Sequence, residues 1–97
     1  MCTVTFIARQ RGYCLRMNRD EKLTRVPGLP PKEKNVNGRM VLCPSEPGGG
    51  AWIAASDHEV THALINWYSI PARVDRNSVS RGEVVNAVSA AGSPEDA

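Results

Sequence analysis

The first twenty residues alternate as paired strands do. Cys2-Thr3-Val4-Thr5-Phe6-Ile7-Ala8 is rich in β-branched residues and holds no breaker, which predicts a strand. Arg9-Gln10-Arg11-Gly12 predicts a tight turn, with Gly12 free to adopt positive φ. Beyond it, Tyr13, Leu15 and Met17 fall on one face and Cys14, Arg16 and Asn18 on the other, a second strand and hence an amino-terminal hairpin. Residues 25–38 mix Pro27, Gly28, Pro30, Pro31, Asn35, Asn37 and Gly38 with charges and predict an exposed loop. Residues 39–43 predict a short strand, and residues 44–50 a rigid loop too short to link domains. Residues 51–55, 56–59 and 60–67 predict strand, turn and strand, followed by an irregular stretch around Pro71. Ser80-Arg81-Gly82-Glu83 has the form of a capping box opening a helix. Val84, Val85, Val88 and Ala91 make its apolar stripe, Gly92 its C′ residue and Pro94 its stop.

Composition narrows the classes. The 97 residues make one small domain, 1–97. With 41% hydrophobic and 23% charged residues, the chain reads as globular and not disordered. A formal charge of +2, with Arg9, Arg11, Arg16 and Arg19 dispersed and no interleaved aromatics, argues against a nucleic-acid or membrane-surface partner. The longest apolar run, 51–55, is far too short to span a membrane. Residues 1–20 hold no apolar signal core, and Cys2, Cys14 and Cys43 are an odd count. Both features point to free thiols in a reducing, cytoplasmic setting. Five aromatics are few for a self-sufficient core, because a chain of this size buries only about 60–65% of its unfolded surface. Some apolar surface is therefore expected to meet a second copy or further sequence.

The candidate chemistry sits at the hairpin. With a Gln10-Arg11 turn, paired positions place Cys2 opposite Arg19. With an Arg11-Gly12 turn, they place it opposite Glu21. In both registers Asn18-Arg19-Asp20-Glu21 lies beside a cysteine at position two. Small penultimate residues permit removal of the initiator Met, which would leave an α-amine and a thiol on one residue. In peptides these groups titrate near ~8 and ~8.5, so the amine can act as base for its own side chain. Arg19 would favour the thiolate, and Asp20 would orient Arg19 or the ammonium. The plainer alternative is a buried structural cysteine beside a solvated turn. Cys14 and Cys43 read as core thiols.

Met1-Cys2-Thr3 followed by Met17-Asn18-Arg19-Asp20-Glu21 resembles the NRDE family, also called the transport and Golgi organisation family. Pro47-Gly48-Gly49-Gly50-Ala51-Trp52-Ile53 is similar to its Gly-Gly-Thr-Trp segment, with Ala51 where Thr is usual. Ala63-Leu64-Ile65-Asn66 is similar to its Ala-Leu-Thr-Asn run, and Ser80-Arg81-Gly82-Glu83-Val84-Val85 to its Arg-Gly-Glu-Leu-Val helix start. The family's amino terminus is similar to N-terminal-nucleophile hydrolases of the choloylglycine hydrolase and penicillin acylase type. The resemblance implies an α+β fold, an α/β/β/α sandwich. Family members are longer, so this chain is expected to give the front part, antiparallel hairpins and one C-terminal helix. It implies Cys2 as nucleophile of an amide- or acyl-bond hydrolase, Asp20 as its acidic neighbour and Asn66 as an oxyanion-hole donor, worth roughly 3–4 kcal/mol when preorganised. Arg19 joins this catalytic group. Asn18, Glu21 and Trp52 are the expected binding residues, a small amide, acyl or lipid-like molecule the expected ligand, and no cofactor is implied. Proposed roles of the family in lipid and haem handling make a non-enzymatic carrier the alternative.

His58-Glu59-Val60-Thr61-His62 competes with this reading as the signature of a small zinc metallopeptidase, because on a helix His58 and His62 of H-E-x-x-H would bind zinc and Glu59 would activate the metal-bound water. Asp57 would cap that helix and Glu83 would be a third ligand. On a turn and strand, however, His58 and His62 stand about 13 Å apart, too far for one ion. The strand-like context of residues 63–68 favours the latter, and no metal is expected. Gly48-Gly49-Gly50 lacks the following helix and Lys-Ser/Thr of a phosphate loop.

Overall fold

The computed structural model describes residues 2–66, 77 and 79–97. Strand β1 (Cys2–Arg9) pairs antiparallel with β2 (Gly12–Arg19) as a two-stranded sheet. Strands β3 (Leu29–Val36), β4 (Arg39–Ser45), β5 (Ile53–Ser56) and β6 (Thr61–Ala63) form a second antiparallel sheet in that order. Helix α1 (Arg81–Val88) packs on β5 and β6, and a 3-10 turn, Pro94–Asp96, follows. The fold is α+β, with two antiparallel sheets and one α-helix among the described residues. Among the described residues no helix is long and apolar enough to cross a membrane.

The hairpin forms as its alternation requires. Gly12 takes φ +101°, a value that L side chains avoid, and the turn is Gln10-Arg11. The register pairs Cys2 with Arg19 and Val4 with Met17. The hairpin meets the second sheet through Tyr13. Its hydroxyl bonds to the Thr61 hydroxyl at 2.7 Å and donates to the Glu59 carbonyl at 3.2 Å.

Most of the expected loop at 25–38 is instead strand β3, with one face as exposed as the other. Prolines 30 and 31 are tolerated because β3 is an edge and its register slips between Leu29 and Lys32. Its charges keep the open edge from pairing further. Asn37 (φ 53°) and Gly38 (φ 82°) turn the chain into β4, with Val36 opposite Arg39. An Asn-Gly pair is a strong hairpin signal, and it marks this strand where hydrophobic alternation does not.

Among the described residues the core is Val41, Cys43, Ala51, Ala54 and Val85. Alternation puts Val41 and Cys43 of β4 and Ala54 of β5 on the face that α1 covers. None of the described aromatics belongs to it. Phe6 and Tyr13 stack at 5.3 Å between centroids but are exposed, as are Ile7, Leu23 and Val26.

Several boundaries shift. Strand β5 starts at Ile53 and not at 51, because the Ala51 N–H turns to the Gly82 carbonyl at 3.3 Å. Strand β6 is three residues long, although the Leu64 N–H still reaches the Trp52 carbonyl at 3.1 Å. Trp67 and the irregular stretch at 68–76 lie outside the described residues. Ser80 is the N-cap of α1, yet its hydroxyl makes no capping bond. Its carbonyl accepts from the N–H groups of Glu83 and Val84 instead, so the capping box does not form. Helix α1 ends at Val88 with Ser89 as C-cap, so Gly92 is not its C′ residue. Gly92 lies instead against the Arg39 guanidinium. Of the expected apolar stripe, Val85 is buried and Val84 is exposed.

Gly82 is set by close approach. A Cβ there would lie 2.7 Å from Gly50 Cα and 3.1 Å from Ala51 N, both backbone atoms. Alanine would gain about 1 kcal/mol of helix propensity, but overpacking against backbone costs about 1–3 kcal/mol. Gly82→Ala is therefore expected to lower the midpoint of chemical unfolding. A stabilised variant would contradict the close contact of α1 with the loop before β5.

Candidate functional site

The cleft between the hairpin, the loop around Glu46 and the start of α1 is built from residues distant in sequence. Its walls are Cys2, Met17 and Arg19 from the hairpin, Glu21 and Arg25 after it, and Glu46, Gly50 and Trp52 around β4 and β5. Leu64 and Asn66 after β6, with Ser80, Arg81 and Gly82 at α1, close it. Its volume is about 140 Å³.

Strand register explains the first wall. Cys2, Met17 and Arg19 fall on one face of the hairpin, because Cys2 pairs with Arg19 and Met17 is two residues from Arg19. Arg19 is then held from three directions. Its guanidinium carbon stands 3.8 Å from the centre of the Trp52 ring. Its Nη2 donates to Glu21 Oε1 at 2.6 Å and to Glu46 Oε1 at 2.8 Å. Arg25 shares the same carboxylates, reaching Glu21 Oε2 at 3.1 Å and Glu46 Oε1 at 2.5 Å. A cation on an indole face contributes about 1 kcal/mol, and charge-assisted hydrogen bonds are roughly twice as strong as neutral ones.

Glu21 records this surrounding. Desolvation pushes its carboxyl up, but the hydrogen bond and charge of Arg19, joined by those of Arg25, outweigh it. The net result lies below the ordinary glutamate value. A carboxylate held low when folded stabilises the protein above the unfolded range. That contribution is lost as pH falls through the folded value.

Five of the seven expected site residues line the cleft: Cys2, Arg19, Glu21, Trp52 and Asn66. Asn18 does not, because it pairs with Thr3 on the opposite face of the hairpin. Asp20 does not line it either and is exposed just after β2. Among the described contacts of Arg19, the carboxylates that bond to it are Glu21 and Glu46. Sequence reasoning missed Glu46, Arg25 and Arg81. Glu46 is the one acidic residue in a loop of Pro and Gly, and that isolation is the signal it offered. Among the other thiols, Cys43 is core and Cys14 is half-buried on the far face of β2.

The zinc reading fails on geometry. His58 is in the turn after β5, Glu59 takes φ 61°, and His62 is in β6. No helix places the two imidazoles on one face. Asp57 caps no helix. Its carboxylate accepts from the Met40 N–H at 3.1 Å, and its own N–H donates to the Met40 carbonyl at 3.0 Å. His62 pairs with buried Ala54, and its two ring nitrogens are buried without a hydrogen-bond partner. Among the described residues no group of three His, Cys, Asp or Glu side chains could hold a metal.

No protein-family model matches the chain, and no curated protein or solved structure shows a significant similarity to it.

Titration of Glu21 tests the site's electrostatics. By carboxylate NMR, its midpoint is expected below that of glutamate in the unfolded chain, and Arg19→Ala is expected to move it up. A midpoint unmoved by that substitution would remove Arg19 as the cause.

Proposed function

We propose that the chain is an NRDE-family domain of the N-terminal-nucleophile hydrolase type, working in the cytoplasm and cleaving an amide or acyl bond with Cys2. One observation carries the reading. Cys2, Arg19, Trp52 and Asn66 come from three stretches that resemble the family's motifs, and all four line one cleft. The start of the fourth stretch, Ser80-Arg81-Gly82, lines it too. The α/β/β/α sandwich belongs to the same proposal. Two antiparallel sheets with a helix on one of them are compatible with part of it.

The chemistry follows from the nucleophile's position. Removal of Met1 frees the Cys2 amine, which takes the thiol proton as the sulfur attacks the carbonyl carbon of the substrate. The oxyanion of the tetrahedral intermediate accepts a hydrogen bond from the Asn66 side-chain amide. The ammonium returns its proton to the leaving nitrogen or oxygen as the carbon–heteroatom bond breaks. Water, deprotonated by the same amine, then hydrolyses the thioester and regenerates Cys2. Arg19, spread over Trp52 and tied to two carboxylates, acts as a rigid wall that fixes the thiol's surroundings.

At about 140 Å³ the cleft lies below the ~300–1,000 Å³ of pockets that enclose drug-sized ligands and suits the reacting end of a substrate. A cavity of about 530 Å³ shares Arg19, Glu21, Arg25 and Trp52 with it.

Two measurements test the proposal. Intact-mass analysis is expected to show loss of Met1, and a protein that keeps Met1 lacks the proposed base. A thiol-directed probe at neutral pH is expected to label Cys2 about tenfold faster than Cys14 or Cys43. Equal labelling of Cys2 and Cys14 would sink the nucleophile.

A further inference from the structure

Among the described residues, the charges in the cleft wall do not balance. Three arginines, Arg19, Arg25 and Arg81, face two glutamates, Glu21 and Glu46. Both glutamates are taken up by Arg19 and Arg25, through four ion pairs. Arg81 lines the same cleft, and among the described residues no carboxylate pairs with it. Helix stability does not account for Arg81 either. It is the first residue of α1, where a cation opposes the helix dipole. A guanidinium is a planar donor array suited to a carboxylate.

We propose that Arg81 is a specificity residue, and that the cleft takes acyl or amide substrates carrying a carboxylate close to the bond that Cys2 attacks. This rests on the reading of Cys2 as nucleophile and adds the chemical class of its substrate. Cys2 and Arg81 wall one cleft of about 140 Å³, so a carboxylate on Arg81 and a carbon at Cys2 would belong to one small substrate end. Arg19 and Arg25 are already paired with compensating carboxylates, Glu21 and Glu46, so their charge is offset where that of Arg81 is not. A neutral substrate of equal size would leave Arg81 unpaired and gain nothing from it.

Iodoacetate and iodoacetamide test this, being nearly the same size and differing by one charge. In both reactions the Cys2 thiolate displaces iodide, forming a carbon–sulfur bond as the carbon–iodine bond breaks. The readout is the ratio of the two alkylation rates at Cys2, by peptide mass spectrometry of the folded, full-length chain. The same ratio in the chain unfolded in urea sets the baseline. The folded ratio is expected to favour iodoacetate by about tenfold over that baseline, the effect of a local field on an anion's concentration. Arg81→Gln is expected to return it to the baseline, and Arg81→Lys to keep part of the preference. A folded ratio equal to the baseline overturns the proposal, as does a raised ratio that Arg81→Gln leaves unchanged. The absolute rate at Cys2 is read separately. Slow labelling by both reagents would remove the nucleophile, whereas the ratio alone decides the anion preference.

Discussion

The site depends on where the Arg19 guanidinium is anchored. β2 delivers Arg19 opposite Cys2, and Trp52 and Glu46 are supplied by the other sheet and its loop. Without that anchor the hairpin would touch the rest of the protein chiefly through Tyr13 and its hydrogen bonds. With it, the face bearing Cys2 and Met17 is turned toward Leu64, Asn66 and α1. A cation stacked on an indole and bonded to two carboxylates is also rigid. Each contact removes a different freedom: the ring fixes the plane, and the carboxylates fix the rotation within it.

The same anchoring redistributes the roles that charge can play. An arginine opposite a cysteine suggests direct support of the thiolate, and this one also donates through Nη2 to Glu21 and Glu46. In the proposed function its service to Cys2 includes fixing the wall beside the thiol. Among the described residues, the positive charge left without a carboxylate in the cleft is that of Arg81. In the proposed function, nucleophile and charge selection would be carried by different elements, β1 and α1. The contact of Gly82 with Gly50 holds the second in place. The polarity of the cleft has a structural counterpart in the sparse core. With buried residues as small as alanine and valine, the charged network takes part in joining the two sheets.

Legibility in the sequence followed the strength of local signals. The hairpin was readable because β-branched alternation and Gly12 agree with one another, and one of its two possible registers is the one observed. Strand β3 was not, because an edge strand of Lys, Glu and Pro has no buried face to leave a period. Only Asn37-Gly38 betrays it. The start of α1 was readable from Ser80, but its end was not. The chain leaves the helix at Ser89 in ordinary αR geometry, before the glycine that would mark an end. In the site, motif resemblance located Cys2, Arg19, Trp52 and Asn66, residues the fold then gathers. Glu46 and Arg81 escaped because their importance lies in partners that only the folded chain brings near.

A double-mutant cycle between Arg19 and Trp52 tests the anchor most directly. Chemical unfolding of Arg19→Ala, Trp52→Leu and the pair gives the energy by which the two side chains depend on each other. The account expects a coupling of about 1 kcal/mol, with the double variant losing less than the two single losses combined. Single losses that simply add would contradict it, because Arg19 would then not be joining the hairpin to the second sheet through the Trp52 ring.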